Sequence, residues 1–210
     1  MLVQWARHGQ NIANLTNTLS HRSFDGDLTE LGRVQAHELG LWLSARGRPR
    51  PGLLACSPLR RARQTAEIVG RSLGLGIGLE LDALREVDVG CLDGSNDEDA
   101  WQTYHRVLSG WRAGDRSLRF PGGENCFELC DRVRLAMGVV VSNSMEGPAL
   151  IIGHGANLRA SLPWLTGSPD PGRDLATGDL ALLDVTSDGG DTIRVKLESW
   201  GEATPGVVKT

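Results

Sequence analysis

Residues 2–11, LVQWARHGQN, hold an apolar run that ends abruptly in arginine, histidine and glycine. Short apolar runs bounded by polar or turn residues are typical of buried strands. Two more follow along the chain, PGLLACS at 51–57 and PALIIGHG at 148–155, and helical patterns separate the three. This alternation predicts an α/β fold: a three-layer sandwich in which a mostly parallel central sheet carries helices on both faces.

Amphipathic stretches supply the predicted helices. They cover residues 28–46, 57–73, 97–111 and 124–141. Thr29 is a suitable N-cap for the first. In the second, we expect Ser57 to be the N-cap and Pro58 the first helical residue, where a missing N–H costs nothing. Residues 179–200 predict two strands joined at 188–190, which can pair antiparallel at an edge of the sheet.

Length and composition indicate one domain over residues 1–210. Apolar residues make up 40% of the chain, charged residues 23%, and the net charge is −4. This balance gives no reason to expect nucleic acid or an anionic membrane as a partner. No secretory signal or membrane-spanning run is visible, so a cytoplasmic location is expected. The sequence leaves open whether the chain forms a homodimer, and the basic segment 46–52 is expected to be a solvated loop.

Two features allow both a structural and a functional interpretation. Cys126 and Cys130 share a helical stripe with apolar residues, which favours core packing over metal ligation or redox chemistry. Residues 91–124, rich in tryptophan and charge, look like an excursion that caps a pocket. Trp101 and Tyr104 could then shape the substrate pocket, or they could simply belong to the core.

Three predicted strands end in cationic or reactive groups. The first ends at Arg7 and His8, the second leads from Ser57 to a cluster of arginines that includes Arg61, and the third ends at His154. Ligands of open α/β sheets bind at the carboxyl ends of the strands, so these groups should converge. Histidines, arginines and a nearby helix N-terminus favour a multiply charged anion, most commonly phosphate.

A neutral histidine in such a site can attack phosphorus and form a phosphohistidine intermediate. A second group must then protonate the leaving oxygen. Glu86, in LREVDVGCLDG at 84–94, is the candidate acid, although a structural salt bridge would also explain it. Gly9 and Gly155, which follow the two histidines, would let the backbone approach the ligand closely.

Six segments in this order resemble the histidine phosphatase superfamily, the phosphoglycerate mutase-like proteins. They are RHGQNIAN at 7–14, DLTELGRVQA at 27–36, CSPLRRARQTA at 56–66, LREVDVGCLDG at 84–94, PGGEN at 121–125 and IIGHGANLRA at 151–160. The resemblance implies a reaction without metal or cofactor on a small-molecule phosphate ester.

The resemblance also implies a role for each matching residue. His8 would be the phosphorylated nucleophile, Arg7 and Arg61 would clamp the phosphoryl oxygens, and Glu86 would act as proton donor and then as base. His154 would be a second phosphate-binding histidine, in its protonated form. Asn14, Gly9, Gln10 and Gly155 complete the implied phosphate-binding set.

Some positions depart from the family pattern. Gln10 stands where glutamate is frequent and Asn125 where serine is frequent, both at the expected pocket rim, so they put the substrate in doubt. His21, His37 and His105 match no motif and are expected to be structural or solvated, with His21 near the pocket mouth.

Four functions fit this set of residues. In the family that this sequence resembles, phosphoglycerate-type mutases are longer chains with bigger loops. The shorter length of this chain favours hydrolysis of a phosphate monoester, with a mutase as the alternative. A catalytically dead phospho-ligand module would be expected to lose the nucleophile or the acid, and this chain keeps both. A protein phosphatase is also conceivable, since the fold does not fix the substrate.

Overall fold

A computed structural model of the chain describes residues 1–45, 49–144, 147–187 and 193–202. Over these residues it has six strands and six α-helices. The strands are β1 (Leu2–Arg7), β2 (Leu53–Cys56), β3 (Leu79–Glu80), β4 (Ala149–Gly153), β5 (Leu180–Ser187) and β6 (Ile193–Glu202). The helices are α1 (Ile12–Leu15), α2 (Glu30–Ser44), α3 (Arg60–Leu73), α4 (Glu98–Arg112), α5 (Cys126–Asn143) and α6 (Gly155–Thr166).

The strands form one mixed sheet in the order β3-β2-β4-β1-β5-β6. The first four in this order run parallel to one another, and β5 and β6 are antiparallel to their neighbours. Arg7 lies opposite Gly153 and Cys56 opposite Ile152, so β1, β4 and β2 end at the same level. The chain therefore leaves three adjacent strands at one edge of the sheet.

Apolar side chains on both faces of the sheet produce the three layers. Because side chains alternate along a strand, Trp5 of β1 packs in one hydrophobic cluster and Ala6 in the other. Helices α2 and α3 cover the Ala6 face, while α4, α5 and α6 contribute to the cluster around Trp5. The predicted α/β sandwich with an antiparallel edge pair is confirmed.

The predicted start of α3 is wrong. Helix α2 has the predicted N-cap, with the Thr29 hydroxyl accepting from the Gly32 N–H at 3.0 Å. Helix α3, however, begins at Arg60 after Leu59, which has no side-chain capping bond. The Asp25 carboxylate accepts the Arg60 N–H instead, with its two oxygens at 3.0 and 2.8 Å. The Ser57 hydroxyl accepts the Leu59 N–H at 3.3 Å, ahead of the helix.

The cysteine stripe is confirmed as a core face of α5. Cys126 and Cys130 are fully buried together with Val133, Met137 and Val140 of the same helix. The predicted strand pair at 179–200 is also confirmed as β5 and β6. The turn predicted at 188–190 and part of the basic segment 46–52 lie outside the described residues.

Candidate active site

His8 and His154 meet at the carboxyl edge of the sheet. His8 directly follows β1, and His154 follows β4 as the N-cap of α6. The two ring centroids are 5.2 Å apart, and the planes cross at 64°. His8 is 3% exposed and His154 is fully buried. Two imidazoles 146 positions apart in the chain thus share one buried spot.

The hydrogen bonds of His8 determine which ring nitrogen carries the proton. Nε2 lies 3.1 Å from Nε of Arg61, which can only donate, so Nε2 must accept. Nδ1 lies 2.7 Å from the Gly9 carbonyl and therefore donates to it. Burial, with the nearby Arg61 and Arg7 charges, lowers the pKa of His8 well below 6.5. His8 is therefore neutral at pH 7 with a lone pair on Nε2.

Arg61 is held rigidly beside this lone pair. Its Nη2 donates to the Ser20 carbonyl at 2.9 Å and Nη1 to the Ser20 hydroxyl at 3.0 Å, with Asp25 at 3.4 Å. The side chain is almost fully buried. Burial lowers the pKa of Arg61 to about 10, so the guanidinium remains charged at neutral pH. A fixed cation of this kind suits a phosphoryl group.

His154 lies behind His8 and does not line the cavity. Its Nε2 and the Ser57 hydroxyl are 2.9 Å apart, and Trp5 Nε1 donates to its carbonyl. The resemblance implies a protonated His154 that stabilises the phosphoryl group, and that role stays a prediction. Burial, followed by the charge of Arg61, lowers the pKa of His154 well below 6.5, so the ring is neutral at pH 7.

These two histidines should make the fold sensitive to mild acid. Their pKa values are near 6.5 in the unfolded chain and lower in the folded protein, so the unfolded state binds more protons below pH 6.5. The stability that they contribute is complete above pH 6.5 and is lost as the pH falls. We expect the free energy of unfolding, measured in urea, to drop by about 2–3 kcal/mol between pH 7.5 and 5.5.

Substitution of asparagine for His8 should remove about half of this pH dependence. The same change at His37, an exposed residue of α2, is the matched control and should leave it unchanged. Equal stability of the wild-type protein at both pH values would contradict the expectation.

Glu86 faces the cavity from the segment after β3. Its Oε1 accepts from the backbone N–H groups of Asn157 at 2.7 Å and of Val87 at 3.0 Å, and Oε2 lies 3.4 Å from the Ala156 nitrogen. Ala156 and Asn157 belong to the first turn of α6, where backbone N–H groups lack helical partners. The salt bridge considered for Glu86 is not present among the described ion pairs.

Arg7, Asn14 and Gly155 also line the cavity. Arg7 Nη1 donates to the Leu175 carbonyl at 2.7 Å, which fixes the guanidinium at the cavity wall. Asn14 Oδ1 accepts the Asn11 N–H at 3.0 Å and so belongs to the capping box of α1. A Cβ at Gly155 would lie 3.0 Å from Arg7 Cδ, so the glycine makes room for this arginine.

Gly9 and Gln10 are not part of this lining, contrary to expectation. A Cβ at Gly9 would lie 2.3 Å from the Gly32 carbonyl oxygen, and one at Gly32 would lie 1.9 Å from the Gln10 carbonyl oxygen. Gly9 therefore permits close contact with α2. Gln10 is turned to the same helix, where its Oε1 accepts from the Thr29 hydroxyl at 2.8 Å.

The cavity has a volume of about 410 Å³, and α4 forms much of its outer wall. Trp101, Tyr104 and His105 of α4 line it, with ring centroids 5.2–5.6 Å apart. His105 is therefore at the cavity, although no motif marked it. Trp111, in contrast, is 1% exposed and packs in the core. Asn125 is also away from the cavity and caps α5.

Several residues of this site carry no recognisable sequence signal. Arg112, Arg159 and Asp174 line the outer cavity, where Asp170 pairs with both arginines at 3.0 and 2.8 Å. Ser57 was visible at the end of its strand, but its position before a proline suggested a helix cap. Among the described residues, no group of three or more His, Cys, Asp or Glu side chains is arranged to hold a metal ion.

A cavity lined by His8, two guanidinium groups and a carboxylate, with a second imidazole packed against His8, agrees with a comparison of whole sequences. A family model described as the histidine phosphatase superfamily (branch 1) matches residues 4–198. The chain belongs to the histidine phosphatase superfamily. The match extends beyond the six segments through most of β6.

Proteins whose sequences are similar to this superfamily member include phosphoglycerate mutases. A probable phosphoglycerate mutase of Erwinia tasmaniensis is 30% identical over 173 residues, which cover 80% of this chain and 75% of that protein. A 2,3-bisphosphoglycerate-dependent phosphoglycerate mutase of Methylorubrum extorquens is 34% identical over 172 residues, 79% of each chain.

Solved structures similar to this superfamily member include phosphatases. Mycobacterial glucosyl-3-phosphoglycerate phosphatase, in complex with VO3, matches with a TM-score of 0.78 and 26% identity, over 96% of this chain and 99% of that one.

The described part of the superfamily member contains no helix that is long and apolar enough to cross a membrane.

Proposed function

We propose that this protein is a phosphatase that hydrolyses a small-molecule phosphate monoester through a phosphohistidine on His8. The observation that carries the proposal is the unprotonated Nε2 of His8, whose lone pair accepts a hydrogen bond from the buried cation of Arg61. The Nδ1 proton is held by the Gly9 carbonyl, so Nε2 is the nitrogen that can attack. An uncharged imidazole is the nucleophilic form.

Two steps complete the reaction. In the first, Nε2 of His8 attacks phosphorus, the bond from phosphorus to the ester oxygen breaks, and protonated Glu86 gives its proton to that oxygen. In the second, the Glu86 carboxylate takes a proton from water, whose oxygen attacks phosphorus and breaks the bond to Nε2. Phosphate leaves, and His8 and Glu86 return to their starting forms.

Arg7, Arg61 and His154 would stabilise the phosphoryl group during both steps. Arg7 and Arg61 supply positive charge to its oxygens. His154 starts neutral and lies against the ring of His8, 5.2 Å away between centroids, so the negative charge of a phosphoryl group bound at His8 would favour the protonated form of His154. The cytoplasm as location and a reaction without metal ion belong to the same proposal.

A mutase is the second candidate, because the two mutase relatives are 30% and 34% identical to this chain. A mutase must keep water away while the intermediate reorients. The outer cavity favours hydrolysis, since its wall includes exposed polar groups such as Asp174, whose side chain is 78% exposed. The cavity of about 410 Å³ also has room for more than a phosphoglycerate.

The deciding experiment measures both activities on the same preparation. The protein is incubated with 3-phosphoglycerate and 2,3-bisphosphoglycerate, and phosphate release is compared with isomerisation. A panel of sugar phosphates, phosphoglycerates, nucleoside monophosphates and ribazole-type esters, with p-nitrophenyl phosphate as reference and a metal chelator present, then seeks the substrate. Phosphate release that exceeds isomerisation supports the phosphatase, and the reverse result supports the mutase.

A further inference from the structure

Residues 83–88, which carry Glu86, have carbonyl groups that are bound by side chains from distant parts of the chain. Arg132 of α5 donates from Nη1 to the carbonyls of Ala83 and Arg85, each at 2.8 Å, and from Nη2 to the Glu86 carbonyl at 3.0 Å. The segment joins two single 3₁₀ turns and pairs with no strand. His21 Nδ1 also lies 2.8 Å from the Glu86 carbonyl, and Asn157 Nδ2 donates to the carbonyls of Leu84 and Arg85. Arg132 is the residue that binds three of these carbonyls at once.

Glu124 holds this guanidinium in place. Its two carboxylate oxygens accept from Arg132 Nε at 2.8 Å and Nη2 at 2.7 Å. Glu124 Oε1 also accepts the Asp88 N–H at 2.9 Å, and the Glu124 N–H donates to the Asp88 carbonyl at 3.0 Å. The Arg132–Glu124 pair therefore forms hydrogen bonds with the backbone at both ends of residues 83–88.

Burial distinguishes this pair from a second Arg–Glu pair that also has one member on α5. The Arg132 and Glu124 side chains are 20% and 8% exposed. Arg119 and Glu128 also form two parallel hydrogen bonds, at 2.8 and 2.6 Å, but they are 47% and 50% exposed and bind no atom of 83–88. Removal of one partner is more costly in the buried pair, because it leaves the other charge uncompensated, than in the exposed pair.

We infer that Arg132, held by Glu124, is a positioning residue that fixes the Glu86 carboxyl for proton transfer to the leaving oxygen. This inference rests on the proposed function. Glu86 is tied to α6 through its carboxylate, and Arg132 ties its backbone to α5, so both ends of the side chain are anchored. Loss of Arg132 would release one anchor and misplace the acid while the nucleophile stays intact.

The test compares two esters of similar size. Cleavage of p-nitrophenyl phosphate needs no acid because p-nitrophenolate leaves readily, whereas benzyl phosphate releases an alcohol that must be protonated. For Arg132→Met we expect kcat/KM on benzyl phosphate to fall about 10- to 100-fold more than kcat/KM on p-nitrophenyl phosphate. Arg132→Lys keeps the charge but loses the fork of donors, and should fall between wild type and Arg132→Met.

The ratio of the two kcat/KM values does not depend on the fraction of active protein, so reduced stability alone leaves it unchanged. If Arg132 acted only through its charge at the phosphoryl site, its removal would lower kcat/KM for both esters alike and leave the ratio unchanged. Arg119→Met is the matched control and should give the wild-type ratio. Glu86→Gln should give the largest change in ratio.

Each remaining outcome has one meaning. If Glu86→Gln changes the ratio and neither Arg132 variant does, the positioning role is overturned and the proposed function survives. If Glu86→Gln itself leaves the ratio unchanged, Glu86 is not the acid, and both the inference and that part of the proposed function fail. The Lys variant decides the matter if the Met variant does not fold.

Discussion

His8→Ala is expected to lower kcat by about 10⁵- to 10⁶-fold, the scale on which removal of a covalent nucleophile acts. His154 also has a neutral imidazole, but it is fully buried and does not line the cavity, so it cannot replace His8. The loss should appear on every ester, including p-nitrophenyl phosphate, because all of them pass through the same intermediate. Phosphate release under saturating substrate is the measurement.

A labelling experiment tests the role of His8 directly, without a measurement of the turnover rate. Wild-type protein quenched during turnover should carry phosphate in an acid-labile, base-stable form typical of phosphohistidine, and His8→Ala should carry none. His37→Ala, the same change at an exposed position of α2, is the control and should keep both activity and label. Undiminished phosphate release by His8→Ala would rule out the proposed intermediate.

Arg61→Met should lower kcat/KM by about 10²- to 10⁴-fold. Arg61 can supply about two charge-assisted hydrogen bonds to the phosphoryl oxygens, each worth about 1.5–3 kcal/mol, and the loss of about 3–6 kcal/mol gives this range. The substitution also removes the donor that faces Nε2 of His8. Steady-state kinetics on p-nitrophenyl phosphate, where the leaving group needs no help, measure this contribution separately from that of the acid.

Arg60→Met is the matched control for this prediction. Arg60 precedes Arg61 on α3, but its side chain is 61% exposed and pairs with Asp27 at 2.8 Å, away from the cavity. We expect its kcat/KM to stay within about twofold of wild type, as for most surface substitutions. A similar loss in both variants would mean that general positive charge, and not the placement of Arg61, accounts for the effect.

The elements that could be predicted are those whose signal is local. Strands β1, β2 and β4 are short apolar runs that end in polar residues, and α2 begins at a threonine that caps it. The start of α3 could not be predicted, because its first N–H is met by Asp25, 35 residues earlier in the chain. A cap supplied from so far away leaves no local pattern.

The same contrast between local signals and long-range contacts applies to the candidate active site. The meeting of His8 and His154 follows from their positions after adjacent parallel strands, although the roles assigned to them stay predictions. The neutral state of His154 could not be inferred from sequence, because it depends on how deeply the fold buries the ring. Arg132 and Ser20 escaped notice because their importance lies in contacts with residues far away in the chain.

The contact between Gly9 and Gly32 has a practical consequence for protein engineering. Even a methyl group at either position would require the backbone to move, since the added carbon would lie 2.3 Å (Gly9) or 1.9 Å (Gly32) from a carbonyl oxygen. Substitutions at Gly9 or Gly32 are therefore expected to disturb the packing of α2 against the loop after His8. A library intended to change ester preference is better directed at cavity-facing side chains of α4 such as Trp101 and His105, which lie on a different element from the nucleophile.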